Sequence, residues 1–122
     1  MFAEFKIKGL PPTINNFYGR NVRNVYKKAK AREWQLESTD QIRNEWGKNP
    51  VLTSALELRI EFISGSRRKW DMDNRIKALQ DCLQSAGVIA DDAQIDSLIV
   101  RREYGKTDET HIIVTEYSNE KY

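Results

Sequence analysis

LELRIEFISGSRRKWDMDNRIKALQDCLQSAGVIADDAQID, Leu56–Asp96, is the stretch that decides the fold of this 122-residue chain. Leu56, Leu58, Ile60 and Phe62 alternate with Glu57, Arg59 and Glu61. That period of two is what a strand with one buried face requires, and it predicts a strand over 51–63. Ser64-Gly65-Ser66 breaks the pattern, and Arg67-Arg68-Lys69 follows. The period then changes. Ile76, Leu79, Leu83 and Ala86 are spaced three, four and three apart, which lays one apolar stripe along a helix from about Asn74 to Ala86. Asp73 suits its N-cap and Gly87 its C-terminal stop.

Outward from this core, Phe2 to Lys8 alternates as a strand and ends at Gly9-Leu10-Pro11-Pro12. Residues 13–27 are expected to be a long loop. A helix over Lys28 to Gly47 follows, with Ala31, Trp34, Ile42 and Trp46 near one face. On the C-terminal side, Asp96 to Tyr104 and Thr110 to Tyr117 are two more strands. The short link Gly105-Lys106-Thr107-Asp108-Glu109 suggests that they form a hairpin. The order β-α-β-α-β-β predicts an α+β fold, with a small mixed sheet of about four strands and two main helices, in a single domain over residues 1–122.

Composition narrows the chemistry. No apolar run approaches the roughly 20 residues a membrane helix needs. The first residues lack the basic-then-apolar pattern of a signal peptide, so a reducing, cytoplasmic setting is expected. Cys82 and His111 are each the only residue of their type, too few for a disulfide framework or a zinc site. The net charge of +2 conceals a division. Residues 1–50 hold ten Lys/Arg and five Asp/Glu, a balance of +5, and the remainder balances at −3. Between Phe5 and Arg32 lie eight basic residues and no acidic one. A basic segment can neutralise phosphates while an acidic cluster holds cations, although a solvated charged face has the same composition.

The acidic candidates are Asp71 and Asp73, two residues apart, and the pair Asp91-Asp92 beyond the helix. In extended backbone, residues i and i+2 point the same way, so Asp71 and Asp73 would converge. Mg²⁺ is commonly held by one or two carboxylates with water and phosphate. Each residue also has a plainer use: Asp73 as a helix cap, Asp71 as a loop acid, Asp91-Asp92 as a solvated turn. An Asp-x-Asp pair also occurs in nucleotide-sugar transferases, but no Gly-rich phosphate loop supports a nucleotide cofactor here. Lys77 could stabilise charge on a phosphate, or simply form an i, i+4 pair with Asp73. Asn74 could contact a phosphate or merely occupy the first helical turn.

Taken together, RRKWDMDNRIKALQDCLQSAGVIADDAQID resembles the core signature of the RusA-type Holliday-junction resolvases. The resemblance lies in Asp-x-Asp-Asn, a Lys three residues later, an amphipathic helix ending in Ala-Gly, and then Asp-Asp-Ala-Gln. LPPTINNFYGR, nearer the N-terminus, resembles that family's Pro-Pro segment with paired Asn and aromatic residues. The resemblance implies a homodimer that resolves four-way DNA junctions by paired symmetric nicks, in recombination and repair, using Mg²⁺ or Mn²⁺. It also implies a phage or prophage setting. It assigns metal binding and catalysis to Asp71, Asp73 and Asp92, a catalytic part to Lys77 and DNA contact to Asn74. Arg20, Arg23, Lys27, Lys28, Arg67, Arg68 and Lys69 are candidates for gripping the DNA arms. The alternative is a non-catalytic branched-DNA-binding protein of the same fold.

One departure stands out. Family members often carry a basic residue immediately before the first acid, where this chain has Trp70. A phosphate contact there is either lost or moved to Lys69. Trp70 itself is either a stacking platform for an unpaired base or a core or interface aromatic.

Geometry poses a further question. The second helix is roughly 20 Å long, and the five residues 87–91 span at most about 17 Å. Asp92 therefore meets Asp71 only if the link doubles back along the helix, or if a partner subunit supplies it.

Overall fold

Alternating side chains on β2 (Leu56–Ser64) generate the two faces on which the molecule is built. Leu56, Leu58, Ile60 and Phe62 are buried, while Arg59 is exposed on the opposite face. The computed structural model describes residues 3–13 and 22–118, the stretch 22–27 by its backbone alone. The remaining elements are β1 (Ala3–Lys8), α1 (Val22–Trp46), α2 (Asp73–Ser85), a single 3₁₀ turn (Asp92–Gln94), β3 (Ile95–Tyr104) and β4 (Glu109–Glu116). The predicted order of two helices and four strands is present, and the sheet is mixed.

The strand order is β1-β4-β2-β3. β3 runs parallel to β2, and β4 lies antiparallel to both β1 and β2. The expected hairpin of the last two strands does not form. Parallel pairing of β2 and β3 uses α2 as the crossover, and β4 then passes over to the far side of β2, where both its edges are paired. Rows of side chains run across all four strands. Phe5, Ile112, Ile60 and Val100 form one row, and Ile7, Thr110, Phe62 and Arg102 form the next.

Both helices cover the same face of this sheet. From α1, Ile42 and Trp46 enter the core, joined by Leu79, Cys82, Leu83 and Ala86 from α2 and its C-terminus. The predicted face of α1 is correct: Ala31 is buried, and Trp34 packs partly buried against the core. Each fully buried Leu or Ile withdraws enough apolar surface to contribute about 1.5–3 kcal/mol. The positive φ values of Gly47 (63°) and Gly87 (81°) end the two helices where the sequence placed their stops.

Several boundaries differ from those expected. α1 begins six residues early, so residues 22–27 are helical and not loop; residues 14–21 lie outside the description. Residues 51–55 are not part of β2. Instead Leu52 forms an isolated parallel bridge with Ile89. Asp73 is the first residue of α2 and not its cap. Met72 holds the cap position with φ −69° and ψ −40°, and no side chain caps the helix.

Candidate functional site

The helical backbone at Met72 removes the extended geometry on which convergence of Asp71 and Asp73 was argued. Both carboxylates are exposed where the loop enters α2, and Asn74 beside them is half-buried. One turn further on, Lys77 projects from the helix surface. Its Nζ lies 3.1 Å from Asp81 Oδ1 and 3.3 Å from Asp92 Oδ2. The i, i+4 partner of Lys77 is therefore Asp81, not Asp73.

Asp92 reaches Lys77 because the link after α2 doubles back within the same chain. Gly87 turns it, Val88 N–H bonds to Leu83 O at 3.0 Å, and Val88 and Ile89 are buried. Leu52 then clamps the link. Its N–H donates to Val88 O at 2.9 Å, and its carbonyl accepts from Ala90 N–H at 3.3 Å.

Gln94 completes the turn that carries Asp92, and its side chain uses its full hydrogen-bonding capacity. Its Oε1 accepts from the N–H groups of Ala90 (2.8 Å) and Asp91 (2.9 Å). Its Nε2 donates to the carbonyls of Leu52 and Ser54, each at 2.9 Å. Asp91 caps the turn, accepting from Ala93 N–H at 2.9 Å. Asp91 and Gln94 thus form a capping box, a motif whose spacing was visible in Asp-Asp-Ala-Gln but was not used to find Gln94.

Electrostatics follow from these contacts. The hydrogen bond from Lys77 holds the Asp92 pKa below the ordinary carboxylate value, and a side-chain hydrogen bond with Asp91 acts in the same direction. Lys77 is raised above its ordinary value, first by Asp81 and then by Asp92. Asp92 is consequently charged at neutral pH while its side chain is 34% exposed. Charged, accessible carboxylate oxygens are the donors that a hard divalent cation takes. Asp71, Asp73 and Asp92 fit such an ion by chemistry. Among the described residues, however, no three His, Cys, Asp or Glu side chains are gathered closely enough to hold one.

Of the basic candidates, Arg67, Arg68 and Lys69 are exposed on the loop before the acids, and the Arg67 guanidinium lies 5.3 Å from the Tyr104 ring centroid. Lys28 is half-buried on α1. Arg20 and the side chains of Arg23 and Lys27 lie outside the described residues. Trp70 packs against the core, its ring 5.4 Å from that of Phe62 in an edge-to-face arrangement. Arg75 and Arg102 both approach the same Trp70 ring, at 4.7 and 4.9 Å from its centroid. Neither arginine was singled out in the sequence. Arg102 in particular is 32 positions from Trp70 in the chain and reaches it only through the fold.

The family model for Endodeoxyribonuclease RusA matches residues 9–115. The chain belongs to the RusA endodeoxyribonuclease family. The match takes in the acids, the returning link, β2, β3 and all but the last residue of β4; it begins just after β1. The crossover junction endodeoxyribonuclease RusA of Shigella sonnei is 32% identical over 111 residues, covering 90% of this chain and 92% of the relative. The RusA of Enterobacteria phage 82 is 30% identical over the same extent. That of Aquifex aeolicus is 29% identical over 90 residues, covering 73% of this chain and 71% of the relative. Among the described residues, no helix of this RusA-family chain is long and apolar enough to cross a membrane.

Proposed function

We propose that this RusA-family chain is a Mg²⁺- or Mn²⁺-dependent endodeoxyribonuclease that resolves four-way DNA junctions by paired symmetric nicks, acting as a homodimer in recombination and repair. The supporting observation is the return of Asp92 to Lys77, one helical turn from Asp73, in a chain of this family. The phage relative supports a phage or prophage setting.

Asp71, Asp73 and Asp92 would hold the ion. When bound, it would polarise a phosphoryl oxygen and lower the pKa of an attacking water. The chain's own groups do the rest. Lys77 pairs with Asp92, and its ammonium offers positive charge to the scissile phosphate. Asn74 offers a neutral donor or acceptor on the first turn of α2. Arg67, Arg68, Lys69 and Lys28, with Arg20, Arg23 and Lys27, neutralise phosphates along the arms. Two chains related by a two-fold axis match the approximate two-fold symmetry of a four-way junction, so each addresses one of two opposed strands.

The test is nicking of a synthetic mobile junction beside a linear duplex of matched sequence, with Mg²⁺ and with EDTA. Symmetric cuts in the junction, abolished by EDTA and by Asp71→Asn or Asp73→Asn, are expected. Tight junction binding without any nicking would leave the non-catalytic branched-DNA binder in its place. Mixing Asp71→Asn with Asp92→Asn chains then locates the third carboxylate. The contact with Lys77 in the same chain predicts no recovery of activity in the mixed dimer.

A further inference from the structure

Two arginines stand beside the acid pair, and among the described residues neither makes an ion pair. Arg75 lies on the first turn of α2 and Arg102 on β3, in the row that includes Phe62 on the helix-covered face. Both are half-buried, and burial pulls the Arg75 pKa below its ordinary value, with Asp108 offsetting part of the effect. Each guanidinium is held in place by one backbone carbonyl. Arg75 donates to Pro11 O, and Arg102 donates to Trp70 O at 3.0 Å. Each leaves its Nε buried without a partner. Among the described residues, neither lies within ion-pair distance of a carboxylate, although Asp71 and Asp73 are close in sequence to Arg75.

This arrangement costs stability. Partly buried charges are normally paired, and two like charges over one ring repel each other. Attraction to the Trp70 face recovers only part of that cost. The fold therefore holds two half-buried cationic forks, each donating a hydrogen bond to one backbone carbonyl among the described residues, next to the exposed carboxylates. The ligand that suits such a pair is a phosphate group, whose oxygens a planar guanidinium can meet with two parallel hydrogen bonds.

We propose that Arg75 and Arg102, gathered on Trp70, form a phosphate-binding pair that takes phosphodiester oxygens of the DNA backbone next to the acid pair. The pair deepens the nuclease reading by naming what positions the strand, and it rests on that reading only in assuming that DNA is the ligand. Trp70 acts as the platform that aligns the forks.

Arg75→Met and Arg102→Met test the proposal by binding, in EDTA and without turnover. Fluorescent four-way junction and linear duplex are titrated with each variant over a range of NaCl concentrations. Loss of one phosphate contact lowers the slope of log K against log salt by about 0.9 and weakens binding roughly eightfold at 0.1 M salt. We expect that change for each variant on the junction, with a thermal midpoint equal to or above that of the unaltered protein, because an unbalanced charge has been removed. Arg75→Lys and Arg102→Lys should retain the salt slope and lose part of the affinity, since a lysine keeps the charge without the fork. A lowered thermal midpoint with unchanged slope and affinity would overturn the proposal and make the arginines structural. Junction nicking by the unaltered protein is scored separately, so failure of the nuclease reading and failure of the phosphate pair give different results.

Discussion

Replacing Gln94 with Ala removes four hydrogen bonds at one stroke, two accepted from Ala90 and Asp91 and two donated to Leu52 and Ser54. All four are 2.8 or 2.9 Å long, so none is marginal by geometry. At about 0.5–1 kcal/mol net for each bond, with water reaching the more exposed ones, the loss is about 2–4 kcal/mol. Urea denaturation followed by tryptophan fluorescence measures it, and an unchanged m value would confirm that the same surface unfolds. The same bonds fix the turn that bears Asp92. Nicking should therefore fall by more than the unfolded fraction explains. Gln94→Glu separates the two halves of the network. It keeps the acceptor but turns a carboxylate towards two carbonyls, so at pH 7 it should be at least as damaging as Gln94→Ala. It should recover as the pH falls and the new carboxyl gains a proton to donate. A loss below about 1 kcal/mol in Gln94→Ala, or unaltered stability in Gln94→Glu at pH 7, would refute the reasoning.

Lys77→Met should change stability by less than about 1 kcal/mol, because its pairs with Asp81 and Asp92 are exposed, yet abolish junction nicking. The depressed pKa of Asp92 gives that small difference a sign: it is present at pH values above the ordinary carboxylate pKa and is lost as the pH falls through the folded value, so thermal midpoints of the two proteins should converge in acid. Leu79→Ala, at a fully buried position on α2, should cost about 2–5 kcal/mol in the same urea assay while leaving the acids intact. Burial pushes the Cys82 thiol up to about 11, so a thiol-specific reagent should label it only on unfolding; rapid labelling of native protein at pH 8 would contradict the placement of α2.

Those placements were legible in the sequence to different degrees. The alternation of Leu56 to Phe62 and the stripe Ile76, Leu79, Leu83 are local patterns set by burial of one face, and each produced the element it predicted. The order of strands is not local. Val114 faces Leu58 on β2 and Ala3 on β1, and nothing in the short link 105–108 distinguishes that crossing from a hairpin. Asp73 shows the same limit at smaller scale. Its carboxylate suits an N-cap, but Met72 adopts helical backbone one residue earlier and carries the helix start past it. At the site, Lys77 and Asp92 were marked by the family pattern, and the chain joins them. Gln94 could have been found from its capping-box spacing to Asp91. Arg102 could not, because only the parallel register of β3 on β2 brings it to Trp70.

The central position of β4 bears on how the protein is made. A nascent chain that has emerged only as far as residue 108 presents β1 and β2 as two unsatisfied edges, open to pairing with other polypeptides. The strand that seals both is the last one synthesised among those described, and it joins Ala3 to Val114. The sheet is therefore complete only once Glu109–Glu116 is free to pair with both neighbours. The burden of avoiding aggregation falls on the interval before Glu109–Glu116 leaves the ribosome and slots between its neighbours.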